Sequence, residues 1–290
     1  MTIAIILCAA VLLGLGFVLQ QRAAQEAPPE DALRFKLFLD LIKKPVWLAG
    51  IGSMVGGQIL GAIALGHADV ILVEPLLTTN LLFALALARV ISSQQLGRRE
   101  WSGAIILSVG VAVFIIAGQP HTGSQPVSEL RRWLVVGVVA AIAAALVAVA
   151  RRRAATEKAT LLASAAGSLY GLQDGFTKRS MVLLDHGIGD LVTSYLPYAV
   201  FGVAVIGLLL AQSAFEVAPL RASLPAMTVA EPLAGIAFGV GVFGEVVRLA
   251  PIWLALESAG LVAMITGVIL ITRSPMLHRG GAPAKSPVPQ

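Results

Sequence analysis

Residues 68–87, ADVILVEPLLTTNLLFALAL, and residues 224–243, LPAMTVAEPLAGIAFGVGVF, are two long apolar runs that each contain one Glu-Pro pair. A helix rises 1.5 Å per residue, so about 20 apolar residues cover the roughly 30 Å hydrocarbon core of a bilayer. Neither run alternates between apolar and polar residues, as the strands of a membrane barrel do. Each run therefore predicts a membrane-spanning helix that holds a carboxylate beside a proline.

The whole chain has the composition of these two runs. Of its 290 residues 57% are hydrophobic and 13% are charged, and its mean hydropathy is +0.87. In a soluble domain about a quarter of the residues are charged. We therefore predict an all-α integral membrane protein with about nine spans. The predicted spans are Ile3 to Leu19, Pro45 to Gly66, Val70 to Ile91, Trp101 to Gly118, Trp133 to Ala150, Ala159 to Leu184, Leu191 to Ser213, Leu220 to Gly244 and Pro251 to Thr272.

Lysine and arginine are distributed unevenly between the loops. With the N-terminus outside, fifteen of them fall in cytoplasmic segments and five in external ones, while Arg89 lies inside a span. By the positive-inside rule this asymmetry predicts a multi-pass plasma-membrane protein with its N-terminus outside and its C-terminus in the cytoplasm. The net charge of +5 is explained by orientation and by lipid headgroups, so no nucleic-acid partner is expected.

The segment DALRFKLFLDLIKK, residues 31–44, separates the first two predicted spans. It is amphipathic, and we expect it to lie on the cytoplasmic surface of the membrane. The alternative is a tenth, tilted span, which would change the predicted side of the N-terminus.

The sequence also contains an internal repeat. A shift of 157 residues places Glu74-Pro75-Leu76 on Glu231-Pro232-Leu233. Without any gap, the same shift superposes Gly14 on Gly171, Arg22 on Arg179, Glu100 on Glu257, Gly103 on Gly260 and Gly110 on Gly267.

One constant shift across three helix pairs indicates two copies of a four-helix unit, with the span Trp133 to Ala150 belonging to neither. Each element then lies five helices from its copy, and this odd number inverts the second copy in the membrane. Inverted repeats are an architecture of secondary transporters, because the two halves can exchange conformations and open on alternate sides. The predicted organisation is a first repeat at 1–118, a linker with the extra helix at 119–157, a second, inverted repeat at 158–273 and a disordered tail at 274–290.

The helices resemble those of the EamA-like type of the drug/metabolite transporter superfamily. The resemblance rests on VEPLLTTNLLFALALARV, AEPLAGIAFGVGVFGE, GAIILSVGVAVFIIAG and GLVAMITGVILI. In that family a proline lies in the fourth helix of each half, and Gly-Glu often ends the helix. Gly244-Glu245 matches this ending, whereas Ala88-Arg89 stands at the equivalent place in the first half. The layout GQILGAIALGHADVILVEPLLTTNLLFALAL is similar to the NIPA-like branch, which implies nine spans and magnesium transport, although Gln58 is the only polar side chain near the place where that branch carries several.

Glu74 and Glu231 are the first candidates for solute binding, because carboxylates inside hydrocarbon are costly and usually functional. The proline after each removes a backbone donor and frees a carbonyl one turn earlier. Carboxylate and carbonyl oxygens together would suit a hard cation or a proton-coupled solute. The alternative is structural, since Glu-Pro also suits the first turn of a helix. Glu231 lies well inside its span, which favours function there. Glu100 and Glu257, at the entrances of their spans, are expected to be helix N-terminal acids.

The segment SLYGLQDGFTKRS, residues 168–180, is the second candidate. Tyr170, Gln173, Asp174 and Lys178 follow one another at three, one and four positions, which places them on one helical face. Asp174 and Lys178 either bind solute or neutralise each other near the membrane surface. Two further polar residues, Thr78 and Asn80, are expected to line the cavity beside Glu74, unless they bond a neighbouring helix.

Motifs of enzymes are missing from the sequence: it contains no G-x-x-x-x-G-K-[ST], no H-E-x-x-H and no G-x-S-x-G. No enzymatic activity and no cofactor are therefore expected, and no metal ligands are assigned. The predicted function is gradient-driven transport of a small solute or ion by alternating access. The alternatives are a magnesium or other divalent-cation transporter and a non-transporting membrane scaffold or receptor. The expected partners are the solute or cation and membrane lipid, and a homodimer is also compatible with the sequence.

Overall fold

A computed structural model describes residues 2–26, 35–65, 76–92, 96–118, 128–184, 187–244 and 250–273. Within these ranges all regular structure is helical, and a π-helical turn at Gly239–Phe243 continues the tenth helix. The helices are α1 (Thr2–Gln25), α2 (Phe35–Leu41), α3 (Pro45–Leu65), α4 (Asn80–Ile91), α5 (Arg98–Gly118), α6 (Glu129–Ala150), α7 (Ala155–Leu184), α8 (Ile188–Thr193), α9 (Leu196–Val217), α10 (Leu220–Phe238) and α11 (Pro251–Thr272).

Six of these helices are long and apolar enough to cross a membrane, namely α1, α5, α6, α9, α10 with its π-helical turn, and α11. The chain is therefore an all-α membrane protein, as the sequence predicts. Of the other three predicted spans, two correspond to α3 and α7, and the third contains the shorter apolar helix α4, while residues 70–75 of that span lie outside the described residues.

Local signals set several helix boundaries. Proline lies in the first turn of α3, α9 and α11, where its missing N–H removes no helical hydrogen bond. At the start of α6, the Ser128 hydroxyl accepts the Arg131 N–H. The span predicted to start at Leu191 begins five residues later, because the chain forms the short helix α8 and then turns at Ser194 before α9.

The helices form two similar groups and a central pair. In the first group α1 packs against α3 and α4, and in the second α7 packs against α9 and α10. The pair is α5 with α11, while α6 packs mainly against α7. Gly103 lies against the Gly267 carbonyl and Gly110 against the Gly260 carbonyl, because glycine lets membrane helices approach closely. These two contacts run in opposite directions along the helices, so α5 and α11 are antiparallel.

One end of the bundle, which we call the basic end, is where α1 and α9 finish and where α10 begins. Side-chain hydrogen bonds connect further segments to this end. The Nζ of Lys44, just before α3, donates to the Ala23 carbonyl at 3.0 Å, and the hydroxyl of Thr160 on α7 donates to the Ala222 carbonyl at 3.1 Å. The last turn of α11 also lies at this end, whereas the first turn of α1 lies at the other end of the bundle. Basic residues concentrated here are Arg22, Lys43, Lys44, Arg98, Arg99, Arg151, Arg152, Arg153, Lys158 and Arg273.

Residues 35–44 are the described part of the predicted amphipathic segment. Helix α2 packs against α1 and α9 and buries Leu37 and Leu41 completely, whereas Lys43 forms an exposed ion pair with Asp40 at 3.6 Å. Seven helical residues extend about 10 Å, roughly a third of the hydrocarbon core. The predicted tail at 274–290, Glu245 and the four histidines lie outside the described residues.

A central cavity as the candidate functional site

A cavity of about 400 Å³ lies in the middle of the bundle. Its walls come from α1, α3, α4 and α5 on one side and from α7 and α10 on the other. The cavity is therefore bounded by both groups of helices rather than by one. Its polar lining consists of Gln58, Thr78, Asn80, Asp174, Thr228 and Glu231.

Four of the eight predicted site residues meet in this cavity: Thr78, Asn80, Asp174 and Glu231. Asp174 is exposed within the bundle and Glu231 is half-buried. Both carboxylates take part in polar or electrostatic interactions, as does Thr78. Three segments that are far apart in the sequence thus contribute to one polar surface.

The sequence around Glu231 explains its position. Pro232 has no N–H, so the Thr228 carbonyl lacks its usual helical donor. The Thr228 hydroxyl donates to the Leu224 carbonyl at 2.9 Å, and Thr228 itself lines the cavity. On the adjoining helix, a Cβ at Gly171 would overlap the Glu231 carbonyl oxygen. Glycine at that position therefore lets α7 approach α10 at the level of the carboxylate.

The remaining predicted residues are placed differently. Tyr170 lines a neighbouring, mostly apolar cavity of about 420 Å³, which shares Phe17 and Gln58 with the central one. Its hydroxyl is nevertheless within electrostatic reach of Glu231. Gln173 lines neither cavity, and its buried Oε1 accepts no hydrogen bond within the described structure. The single polar face predicted for this part of α7 is thus divided between two cavities. Glu74 and the side chain of Lys178 lie outside the described residues.

Several polar residues near the basic end were not predicted as functional. Gln20, Gln21, Gln212 and Arg221 are almost completely buried, and so is Glu100. The sequence signal for them is a glutamine or arginine inside or beside an apolar run. As predicted, Glu100 lies in the first turn of its helix, where it accepts the Gly97 N–H at 2.8 Å.

Glu257 was also expected to be a helix N-terminal acid, and this prediction is wrong. Helix α11 begins at Pro251, so Glu257 lies in the second turn. Its Oε1 faces Gly118 at the end of α5, 3.1 Å from where a Cβ would stand. Among the described residues, no three histidine, cysteine, aspartate or glutamate side chains form a metal-binding group.

Two known proteins are similar to part of the chain. The probable magnesium transporter NIPA2 of Arabidopsis thaliana is 23% identical over 120 residues, which are 41% of the chain and 36% of that protein. A probable magnesium transporter of Candida albicans is 24% identical over 132 residues, or 44% of the chain and 35% of that protein. No family model matches the chain, and no solved structure matches it.

One similarity covers nearly the whole chain. An uncharacterized protein of Corynebacterium glutamicum is 31% identical over 279 residues, which are 94% of the chain and 95% of that protein. The chain therefore belongs to the same protein family as this uncharacterized Corynebacterium glutamicum protein.

Proposed function

We propose that the protein is a gradient-driven transporter that moves a small, positively charged solute or ion by alternating access through the central cavity. The observation that carries this proposal is the presence of two carboxylates, Asp174 and Glu231, in one cavity between two groups of helices. A carboxylate within a membrane is costly unless it meets a partner, a proton or water. Two carboxylates that face the same cavity can together bind a cation there.

The charge of the cavity favours a cationic solute. Its described lining contains two acidic side chains and no basic one. The amide and hydroxyl oxygens of Gln58, Thr78 and Thr228 add acceptors beside the carboxylates. An anionic solute would have to approach two like charges in a medium that screens them poorly.

Inverted repeats would provide the moving parts. The constant shift of 157 residues supports them, and so does the packing of α5 on α11. Gly103 contacts Gly267, which is the repeat equivalent of Gly110. Gly110 in turn contacts Gly260, which is the repeat equivalent of Gly103. Such reciprocal contacts are the property of a two-fold axis between the helices. The two units are not identical, because Gly171 packs against Glu231 and Gly235, whereas Gly14 packs against Asn80 and Ala84, six residues beyond the matching positions.

Nine spans with an external N-terminus agree with this arrangement. Helices α3, α4 with the residues before it, and α7 would be the three further spans. Thr2 and Thr272 begin and end the bundle at opposite ends, as an odd number of spans requires. The concentration of lysine and arginine at the basic end supports a cytoplasmic location for that end. The placement in the EamA-like drug/metabolite transporter superfamily is a prediction from the sequence.

Magnesium is the second candidate cargo, and a specific observation favours it. Two proteins that match about two fifths of the chain are described as probable magnesium transporters. Magnesium prefers oxygen ligands and keeps several of its waters, so it needs only one or two carboxylates from the protein. Asp174 and Glu231 would suit such a partly hydrated ion. The competing function, a membrane scaffold, would require neither a central cavity nor carboxylates in it.

Uptake into liposomes tests the proposal. The purified protein is reconstituted and challenged with magnesium, other divalent and monovalent cations, organic cations and neutral metabolites, with and without a pH gradient. We expect uptake of at least one cation, and loss of that uptake in Glu231→Gln and Asp174→Asn. Glu157→Gln is the matched control, because Glu157 is an exposed carboxylate paired with Arg153 outside the cavity. Uptake no faster than in empty liposomes for every cation would contradict the proposal.

A further inference from the structure

A layer of buried polar side chains lies between the central cavity and the basic end. Gln20 and Gln21 of α1, Glu100 of α5, Gln212 of α9 and Arg221 of α10 are each at most 4% exposed; we call these five residues the polar layer. Arg221 and Glu231 are ten positions apart on α10, so the layer lies about 15 Å from Glu231 along this helix. None of the five lines the central cavity.

Three interactions of the polar layer join residues 1–118, the first half of the chain, to residues 158–273, the second half. The Gln212 amide donates to the Gln20 Oε1, although the two residues are 192 positions apart. The Gln21 Nε2 donates to the Ala218 carbonyl at 3.3 Å. Glu100 is within electrostatic reach of the Arg221 guanidinium. The layer is therefore an interface between the two halves.

An apolar floor lies between the polar layer and the central cavity, and Gln20 of the layer also lines the neighbouring, mostly apolar cavity. The rings of Phe17 on α1 and Phe215 on α9 meet edge to face, with their centroids 6.3 Å apart. Leu224 and Met227 line the cavity beside them and are 1% exposed. The Phe17–Phe215 contact also joins the two halves. A solute in the cavity would have to pass this floor and then the polar layer to reach the basic end.

We propose that the polar layer and the Phe17–Phe215 pair form the closed gate of the protein at its basic end. The assignment rests on the proposed transport function. Buried amides and charges need partners, and separation of the halves would replace these partners with water at small net cost. An interface of this kind can be made and broken repeatedly, whereas a wholly apolar one would expose its surface to water each time. The structure is then the state closed at the basic end.

Crosslinking tests whether the layer has to open. In a Cys8→Ser background, Gln20→Cys and Gln212→Cys are joined by a short thiol linker that contains a reducible disulfide, and the yield is measured by mass spectrometry of the linked peptides. We expect the linker to abolish uptake and reduction to restore it. The control pair is Gln20→Cys with Met54→Cys, because these side chains are in contact within one half. Undiminished uptake by protein linked between residues 20 and 212 would overturn the gate.

Thiol labelling tests the gate without any transported solute. Thr228→Cys places a reporter in the cavity of the Cys8→Ser protein, and a membrane-impermeant thiol reagent is added on either side of oriented proteoliposomes. We expect labelling to be slow from the side of the basic end. The single variant Gln212→Leu should raise that rate about fivefold, because the buried Gln20 Oε1 then loses its donor at a cost of about 1 kcal/mol in the closed state.

The two measurements separate the gate from the proposed function. Fast labelling of the parent from the basic end, or an unchanged rate in Gln212→Leu, would overturn the gate even if uptake is observed. Slow labelling that accelerates in the variant would support the gate even if no solute in the panel is transported. In that case the transport proposal fails and the opening of the bundle stands.

Discussion

At the scale of single residues, Glu231 is expected to control transport most directly. It lies about 16 Å from the first residue of α10, near the middle of a 30 Å hydrocarbon core, and a helix-capping acid has no reason to lie so deep. Glu231→Gln keeps the size and most hydrogen bonding of the side chain but removes its charge. We expect cation uptake to fall at least tenfold while the amount of protein in the membrane is unchanged, because the lost attraction is of the order of 1.4 kcal/mol or more. Wild-type uptake by Glu231→Gln would return this residue to a structural role.

Asp174 and Lys178 form a second prediction at this scale. They are one turn apart on α7, and the Asp174 carboxylate is exposed to the cavity. Asp174→Asn or Lys178→Gln alone would remove one charge of the predicted pair, so the double variant should be less affected than the sum of the single ones. Uptake and thermal stability are measured for the wild type, the two single variants and the double variant, which together form a double-mutant cycle. We expect a coupling energy above about 0.5 kcal/mol. Additive effects would show that the two residues act independently.

At the scale of helices, the contact between α7 and α10 depends on Gly171. A side chain there would overlap the Glu231 carbonyl oxygen and approach the Gly235 nitrogen, so Gly171→Ala should destabilise the protein by about 1–3 kcal/mol. Gly137→Ala is the control, since a Cβ at Gly137 meets nothing within 4 Å. Thermal unfolding in detergent measures both. Equal stabilities of the two variants would show that α7 and α10 are not held together at this point.

At the scale of the whole molecule, the structure places the first turn of α1 and the last turn of α11 at opposite ends. Lysine and arginine collect at the end where α11 finishes, so we expect an external N-terminus and a cytoplasmic C-terminus. Reporter fusions at both termini measure the two locations. Two cytoplasmic termini would imply an even number of spans and would restore residues 31–44 as a candidate membrane helix.

The sequence alone determined the class of the protein, because a run of about 20 apolar residues is long enough to cross a bilayer only as a helix. It also made Glu231 and Asp174 candidates, since a carboxylate in such a run is visible without any knowledge of neighbours. Its errors lay at element boundaries: the turn at Ser194 delays α9, and Glu257 lies one turn deeper in α11 than expected. Both depend on where a helix actually starts, which proline and serine bias but do not fix.

Only the tertiary structure decided which residues lie together. Nothing in the local sequence relates Gln20 to Gln212 or Thr78 to Asp174, because these pairs are formed by helices far apart in the chain. The spacing of the polar residues on α7 likewise gave no indication that Tyr170 and Asp174 would line different cavities. Helix formation in lipid is a local requirement of the backbone, whereas the packing of formed helices depends on small residues and polar contacts between distant segments. The membrane class therefore followed from the sequence, and the cavity and the polar layer followed from the fold.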